Sequence, residues 1–231
     1  AAVLGGVSRP AVTLSRPRKE YEAFDDVVVA GKSLRPLQRG RTGRDAAVTA
    51  FVDAIGGDKA LGALTRNDVL AFRGALKERA RNQEITIETA NKQIGQVAAM
   101  MRALNEGLML GLPPIFDKVM LKGAKANQRI PYVPAFVQER LLADGVFDEV
   151  NEEARRVLYL MAETGLRLSE ACNLNDTTIV LDHAVPHVRV RGDGRQMKTE
   201  QSERDIPLVG VALMAMRAQP KGFPRYHDKA D

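Results

Sequence analysis

An arginine set in an otherwise apolar turn is the residue of this 231-residue chain most suited to chemistry. Residues 164–174 read TGLRLSEACNL and follow a hydrophobic helical stretch; Arg167 is their only cation. A guanidinium buried there would be costly unless an anion met it. Two candidates exist: Glu170, three residues on, and a phosphate carried by a ligand. A second cationic stretch, QMKTEQSERDIPL at 196–208, holds Lys198 and, ahead of an Ile-Pro-Leu run, Arg204, which reads as a solvated strand residue. Elsewhere basic side chains gather at Arg35, Arg39, Arg41 and Arg44 and again at Lys122, Lys125 and Arg129. Of these, Arg41, Arg44, Lys125 and Arg129 are the candidates for contact with a polyanion.

Charge distribution supports that class of partner. The net charge is +5, but residues 1–134 hold 21 Lys and Arg against 13 Asp and Glu, whereas 135–231 hold 13 against 16. A basic half followed by a slightly acidic one assigns phosphate neutralisation to the first, with a solvated basic surface as the bland alternative. Other chemistries find little support. Cys172 is the sole cysteine and sits beside Ala171 and near Leu174, so it reads as a small buried hydrophobe, and no disulfide can form within the chain. His183, His187 and His227 lack metal-ligand spacing, and neither a phosphate loop nor a dinucleotide fingerprint is present; no metal and no cofactor is expected. No stretch approaches the length of a membrane span and the first residues lack a basic leader, so a cytoplasmic setting is expected.

The elements that must position these residues can be read from apolar spacing. Residues 1–44 hold three prolines and a basic run, and read as a lead-in segment, mostly loop, with one short helix around 19–30. From Asp45 the pattern is helical: Ala47, Val48, Phe51, Val52 and Ile55 share a face that Gly56-Gly57 terminates. Thr65 with Asp68 three residues later forms a capping-box variant ahead of Val69, Phe72 and Leu76. Ile87, Ala90, Ile94, Val97, Met101 and Leu104 then mark a long amphipathic helix stopped by Gly107. Residues 122–134 read as a linker. Beyond it, FVQERLLA is a short helix and NEEARRVLYLMAETG a second, with Ala154, Val157, Leu158 and Met161 inward. The period then changes to short β-branched runs, TTIVLD, HVRVR and RDIPL, with Asp193-Gly194 as a hairpin dipeptide, before VALMAMRAQ returns to helical spacing. The fold class expected is α+β, mainly helical with a small antiparallel sheet, divided into a lead-in (1–44), a helical domain (45–121), a linker (122–134) and a second domain (135–231). Met100, Met101, Met109 and Met120 read as core filler.

The pattern T-G-x-R-x-x-E-x-x-x-L at 164–174 resembles the first arginine box of the tyrosine recombinase (phage integrase) family, and K-T followed by S-x-R-x-I-P-L at 198–208 resembles its lysine hairpin. The order agrees too: helix, arginine box, two strands, lysine hairpin, a strand ending in I-P-L, helix. The resemblance covers about residues 45–231, with the helical half similar to the family's core-binding domain. It implies that Arg167 contacts the scissile phosphate, that Glu170 supports it, that Lys198 protonates the departing 5′ oxygen, and that Asn91 and Lys92 lie near the DNA backbone.

Duplex DNA at an attachment site is the implied partner, held in a C-shaped clamp, with tetramers on paired sites. The family's H-x-x-R box and nucleophilic tyrosine have no counterpart here. Tyr21, Tyr132 and Tyr159 precede the lysine segment, and Tyr226 follows no second arginine box. The chain is therefore expected to be a monomeric fragment that binds DNA without cutting it, cut from a site-specific recombinase. A DNA-binding protein that kept the clamp and lost the chemistry is the rival reading.

Overall fold

In a computed structural model, residues 12–14, 17–24, 34–123, 130–192 and 202–227 are described. The main division of the chain falls between Asn127 and Gln128, giving two compact units, each with its own apolar core.

Helices α1 (Pro17–Phe24), α2 (Leu34–Ala54), α3 (Arg66–Arg81) and α4 (Ile87–Gly107), with a 3-10 turn at Leu61–Ala63, build the first unit. Their inward faces are the ones the spacing marks: Ala47 and Phe51, then Val69, Phe72 and Leu76, then Ala90, Ile94, Val97, Met101 and Leu104. Phe51 stacks on Phe72 with ring centroids 4.8 Å apart, and Phe116 meets Phe51 edge-on at 5.9 Å. The capping box that opens α3 is complete: the Thr65 hydroxyl accepts from the Asp68 N–H at 3.3 Å, and the Asp68 carboxylate accepts from the Thr65 N–H at 2.8 Å. Lys59 adds an ion pair to Asp68 at 2.6 Å.

Two expectations change here. α2 starts at Leu34, not Asp45. Pro36 falls in its first turn, where a missing N–H costs nothing, and Gly43 lies against the Gln96 amide of α4, where a Cβ would be 3.1 Å from the nitrogen. The lead-in, where described, also belongs to the first core rather than to loop. Leu14 is fully buried, its N–H bonds the Lys59 carbonyl at 2.8 Å, and the Leu61 N–H bonds the Val12 carbonyl at 2.9 Å. α1 ends at Phe24, and the remainder of the helix expected over 19–30 lies outside the described residues.

After α4 the chain returns as a strap, residues 112–121, fastened to α3 and α4 by side chains that grip its backbone. Arg66 donates to the carbonyls of Ile115 and Asp117, both at 2.6 Å, and Arg73 to that of Val119 at 2.8 Å. Asn91 exchanges two bonds with Leu121 (3.0 and 2.7 Å), and Asn105 does the same with Leu112 (3.1 and 2.7 Å). Met100 and Met101 fill the interior, but Met109 is 79% exposed and Met120 about half exposed, so half of the core-filler expectation fails. Met109 occupies a left-handed turn residue (φ 49°) just past α4, beyond the helix's inward stripe.

The second unit begins with one helical turn, α5 (Pro134–Phe136), running into a π turn at Val137–Leu141. It continues with α6 (Glu152–Thr164), α7 (Leu168–Cys172), β1 (Ile179–Val180), β2 (His187–Val190), β3 (Arg204–Pro207) and α8 (Gly210–Ala218). The strands form an antiparallel sheet in the order β1-β2-β3, with Ile179 opposite Val188 and Val190 opposite Arg204. The α+β expectation is thus borne out. α6 packs on α8, and its buried residues are Val157 and Leu160, with Met161 against the core; Leu158, expected inward, is 39% exposed because it lies off that three-residue step. Asp193-Gly194 lies outside the described residues.

Candidate functional site

The turn between α6 and α7 explains why T-G-x-R is spelled as it is. The Thr164 hydroxyl donates to the Leu160 carbonyl at 2.5 Å, and the Gly165 N–H bonds the Met161 carbonyl at 3.0 Å. Gly165 itself caps the helix in the left-handed region, φ 64°, where a Cβ would be strained. The reversal sends Leu166 into the core and leaves Arg167 extended, facing outward, as the residue before α7. Ala171, Cys172 and Leu174 then anchor α7 in the apolar core. Burial raises the Cys172 thiol pKa, which fits the structural role expected of it.

Glu170 is the centre of the site. Its side chain is only 9% exposed and collects donors from three directions. The Arg167 N–H reaches one carboxylate oxygen at 2.9 Å, and the Arg167 guanidinium the other at 2.6 Å. From β3, Arg204 lies 2.9 Å and 3.4 Å from the same two oxygens and also donates to the Ser202 carbonyl at 2.8 Å. Burial pushes the Glu170 carboxyl up, but the hydrogen bonds from Arg204 and Arg167 outweigh it and hold the group below the usual carboxylate range. Two guanidinium groups against one carboxylate leave the cluster cationic. Arg167, at 50% side-chain exposure, is its open face, so this arginine is half in solvent rather than buried in the turn.

Arg204 is not the solvated strand residue that the sequence suggests. Its partner across the sheet is Val190, which is buried with Val188, and cross-strand partners share a face. Arg204 therefore starts on the inner face, where Glu170 meets it. The sequence does carry a signal for this: Leu208 and Ile206 are inward by alternation, and one further step of two reaches Arg204. On the outer face Asp205 pairs with Arg191 at 2.5 Å.

Lys198 falls in sequence between β2 and β3, outside the described residues, as do Lys125 and Arg129 in the other part of the chain. Among the remaining candidates of the first unit, Arg41 pairs with Glu22 of α1 at 2.9 Å, and the Arg44 guanidinium lies 5.3 Å from the centroid of the Tyr21 ring. Asn91, expected near the DNA backbone, spends its amide on both backbone groups of Leu121, which makes it a clamp on the strap. Lys92, next to it on α4, is exposed. Among the described residues no group of three or more His, Cys, Asp or Glu is placed to hold a metal ion, and no helix is long and apolar enough to cross a membrane.

Tyr226 belongs elsewhere in the second unit. Its hydroxyl accepts a bond from Asn151 at 2.6 Å, at the N-terminal end of α6, while Arg167 follows the other end. The rise of a helix of that length separates them by about 20 Å.

No protein-family model matches the chain. Its sequence is 26% identical over 164 residues to "Putative integrase/recombinase y4rD" of Sinorhizobium fredii (strain NBRC 101917 / NGR234), a match over 70% of this chain and 57% of the relative. The Tn1549 transposon integrase bound to transposon right-end DNA shares its fold, with a TM-score of 0.58 and 18% identity over 90% of this chain and 64% of that one. The same integrase with circular-intermediate DNA gives a TM-score of 0.57 at 16% identity, with the same coverage. This chain accordingly spans somewhat over half the length of the relatives it matches. The chain is thus similar in sequence to an integrase/recombinase and in fold to a transposon integrase.

Proposed function

We propose that the chain is the DNA-binding and partial catalytic part of a site-specific recombinase that cuts and rejoins DNA through a 3′-phosphotyrosine. The observation that carries this reading is the cluster of Arg167, Glu170 and Arg204: a net positive charge on a packed turn, with a half-exposed guanidinium as its open face. In this reading the first unit is the core-binding domain, the second the catalytic domain, and the partner is duplex DNA, on which the whole protein assembles as a tetramer. A tyrosine attacks the scissile phosphorus, the phosphate becomes esterified to it, and the 5′ oxygen departs. Because the bond energy is kept in the phosphotyrosine, no nucleotide hydrolysis is required. Arg167 stabilises the charge that grows on the non-bridging oxygens, a task suited to its planar fork, and Lys198 protonates the departing oxygen. No tyrosine of residues 1–231 is assigned as nucleophile.

The test is a titration of labelled duplex with the chain at several salt concentrations, alongside Arg167→Ala. Log affinity should fall linearly with log salt. The variant should bind more weakly, its slope shallower by about 0.9 because one phosphate fewer is neutralised. Indistinguishable curves for the two proteins would remove Arg167 from the DNA interface. For the chemistry, the protein expressed from its whole reading frame should form a covalent complex with a nicked duplex. Its failure to do so under conditions where it binds would leave only the non-catalytic DNA clamp.

A further inference from the structure

Glu170 poses a problem for any phosphate that approaches Arg167. Its carboxylate already holds the Arg167 guanidinium at 2.6 Å, in a pocket where the acid is only 9% exposed. An arginine closed onto a buried acid is neutralised and turned away from a ligand. If it moves to a phosphate, the acid behind it is left short of donors, and a desolvated carboxylate without donors is strongly unfavourable. Arg204 changes both consequences. It approaches the two oxygens from β3, at 2.9 and 3.4 Å, and its own position is fixed by the Ser202 carbonyl at 2.8 Å and by the β2–β3 register. With Arg204 in place, departure of the Arg167 guanidinium still leaves Glu170 two hydrogen bonds from β3 and one from the Arg167 backbone N–H at 2.9 Å. The cluster also carries one positive charge in excess, where Arg167 and Glu170 alone would carry none.

We infer that Arg204 is a positioning residue: by holding the Glu170 carboxylate from β3, it frees the Arg167 guanidinium for a DNA phosphate. The inference rests on the recombinase reading of Arg167 and adds to it a residue that never touches the phosphate.

The experiment is a double-mutant cycle on DNA affinity, using the chain with a labelled duplex. Arg204→Met should weaken binding to about the level of Arg167→Ala, near tenfold, because Glu170 then keeps Arg167 to itself. Adding Glu170→Gln to Arg204→Met removes the competing charge and should restore affinity to within about twofold of Glu170→Gln alone. A merely structural role for Arg204 would give no such recovery, since the second change removes a further partner. A double variant as weak as Arg204→Met overturns the inference while leaving the recombinase reading intact. An Arg167→Ala variant that binds as well as the parent overturns both.

Side-chain NMR of the unsubstituted protein covers the case in which Arg204→Met fails to fold. On adding duplex, the Arg167 Nε signal should shift and that of Arg204 should stay in place. Movement of the Arg204 signal alone would make Arg204 the phosphate ligand and overturn the proposal.

Discussion

Two depressed carboxylates illustrate how single residues carry this molecule's electrostatics. The Lys59 hydrogen bond does most to lower the Asp68 pKa, helped by the Thr65 N–H, against a smaller opposing effect of burial. A folded-state pKa below the unfolded one means stability that is fully present above the unfolded value and lost as pH falls through the folded value. Asp68→Asn should therefore cost the first unit about 1 kcal/mol at neutral pH, the scale of a removed helix cap. That difference should shrink below about pH 4, the range of a free Asp carboxyl. Melting temperatures of both proteins from pH 7 downward check it; parallel curves would contradict the assignment. Asp68 is legible in the sequence because a capping box is local, three residues from partner to partner. The Glu170–Arg204 pair is not, because it depends on the register of β3 against β2, which no local spacing states. Alternation back from Leu208 points Arg204 inward, yet a charged residue at a strand end is normally solvated, and the two signals conflict.

At the scale of elements, the apolar period identifies α3, α4, α6 and all three strands, since each buries one face against a single core. It misses the first half of α2. That half presents Arg39, Arg41 and Arg44 together with two glycines, and its helical state draws on tertiary partners: Glu22 and Tyr21 of α1, and Gln96 of α4. Turns show the same dependence. Gly165→Ala leaves the neighbouring side chains in place but sets a Cβ on a left-handed residue, and should destabilise the second unit by about 1 kcal/mol. Gly222→Ala should cost more. There a left-handed φ of 78° coincides with a close approach in which a Cβ would overlap the Leu174 carbonyl oxygen, across the Asn175–Gly222 bridge. Chemical denaturation of the two variants should rank them in that order; equal losses would mean that the backbone yields at Gly222.

On the scale of the whole chain, two separate cores imply two units whose stabilities need not move together. Phe72→Ala removes a ring stacked on Phe51 and should cost the first unit about 3–5 kcal/mol, enough to unfold it or nearly so. Amide exchange in α6 and α8 should be unchanged. Loss of protection there would show that the units fold as one. The strap at 112–121 bears on a different question, which substitutions the first unit can absorb. Arg66, Arg73, Asn91 and Asn105 grip carbonyls and amides, groups that nearly every amino acid supplies. The strap's exposed side chains at Asp117 and Met120 are therefore free to vary, whereas the four clamps are not. Scanning mutagenesis with selection for folded protein should recover diverse residues at those two strap positions and almost none at the clamps, so that the segment's path is recorded in residues up to 51 positions away from it.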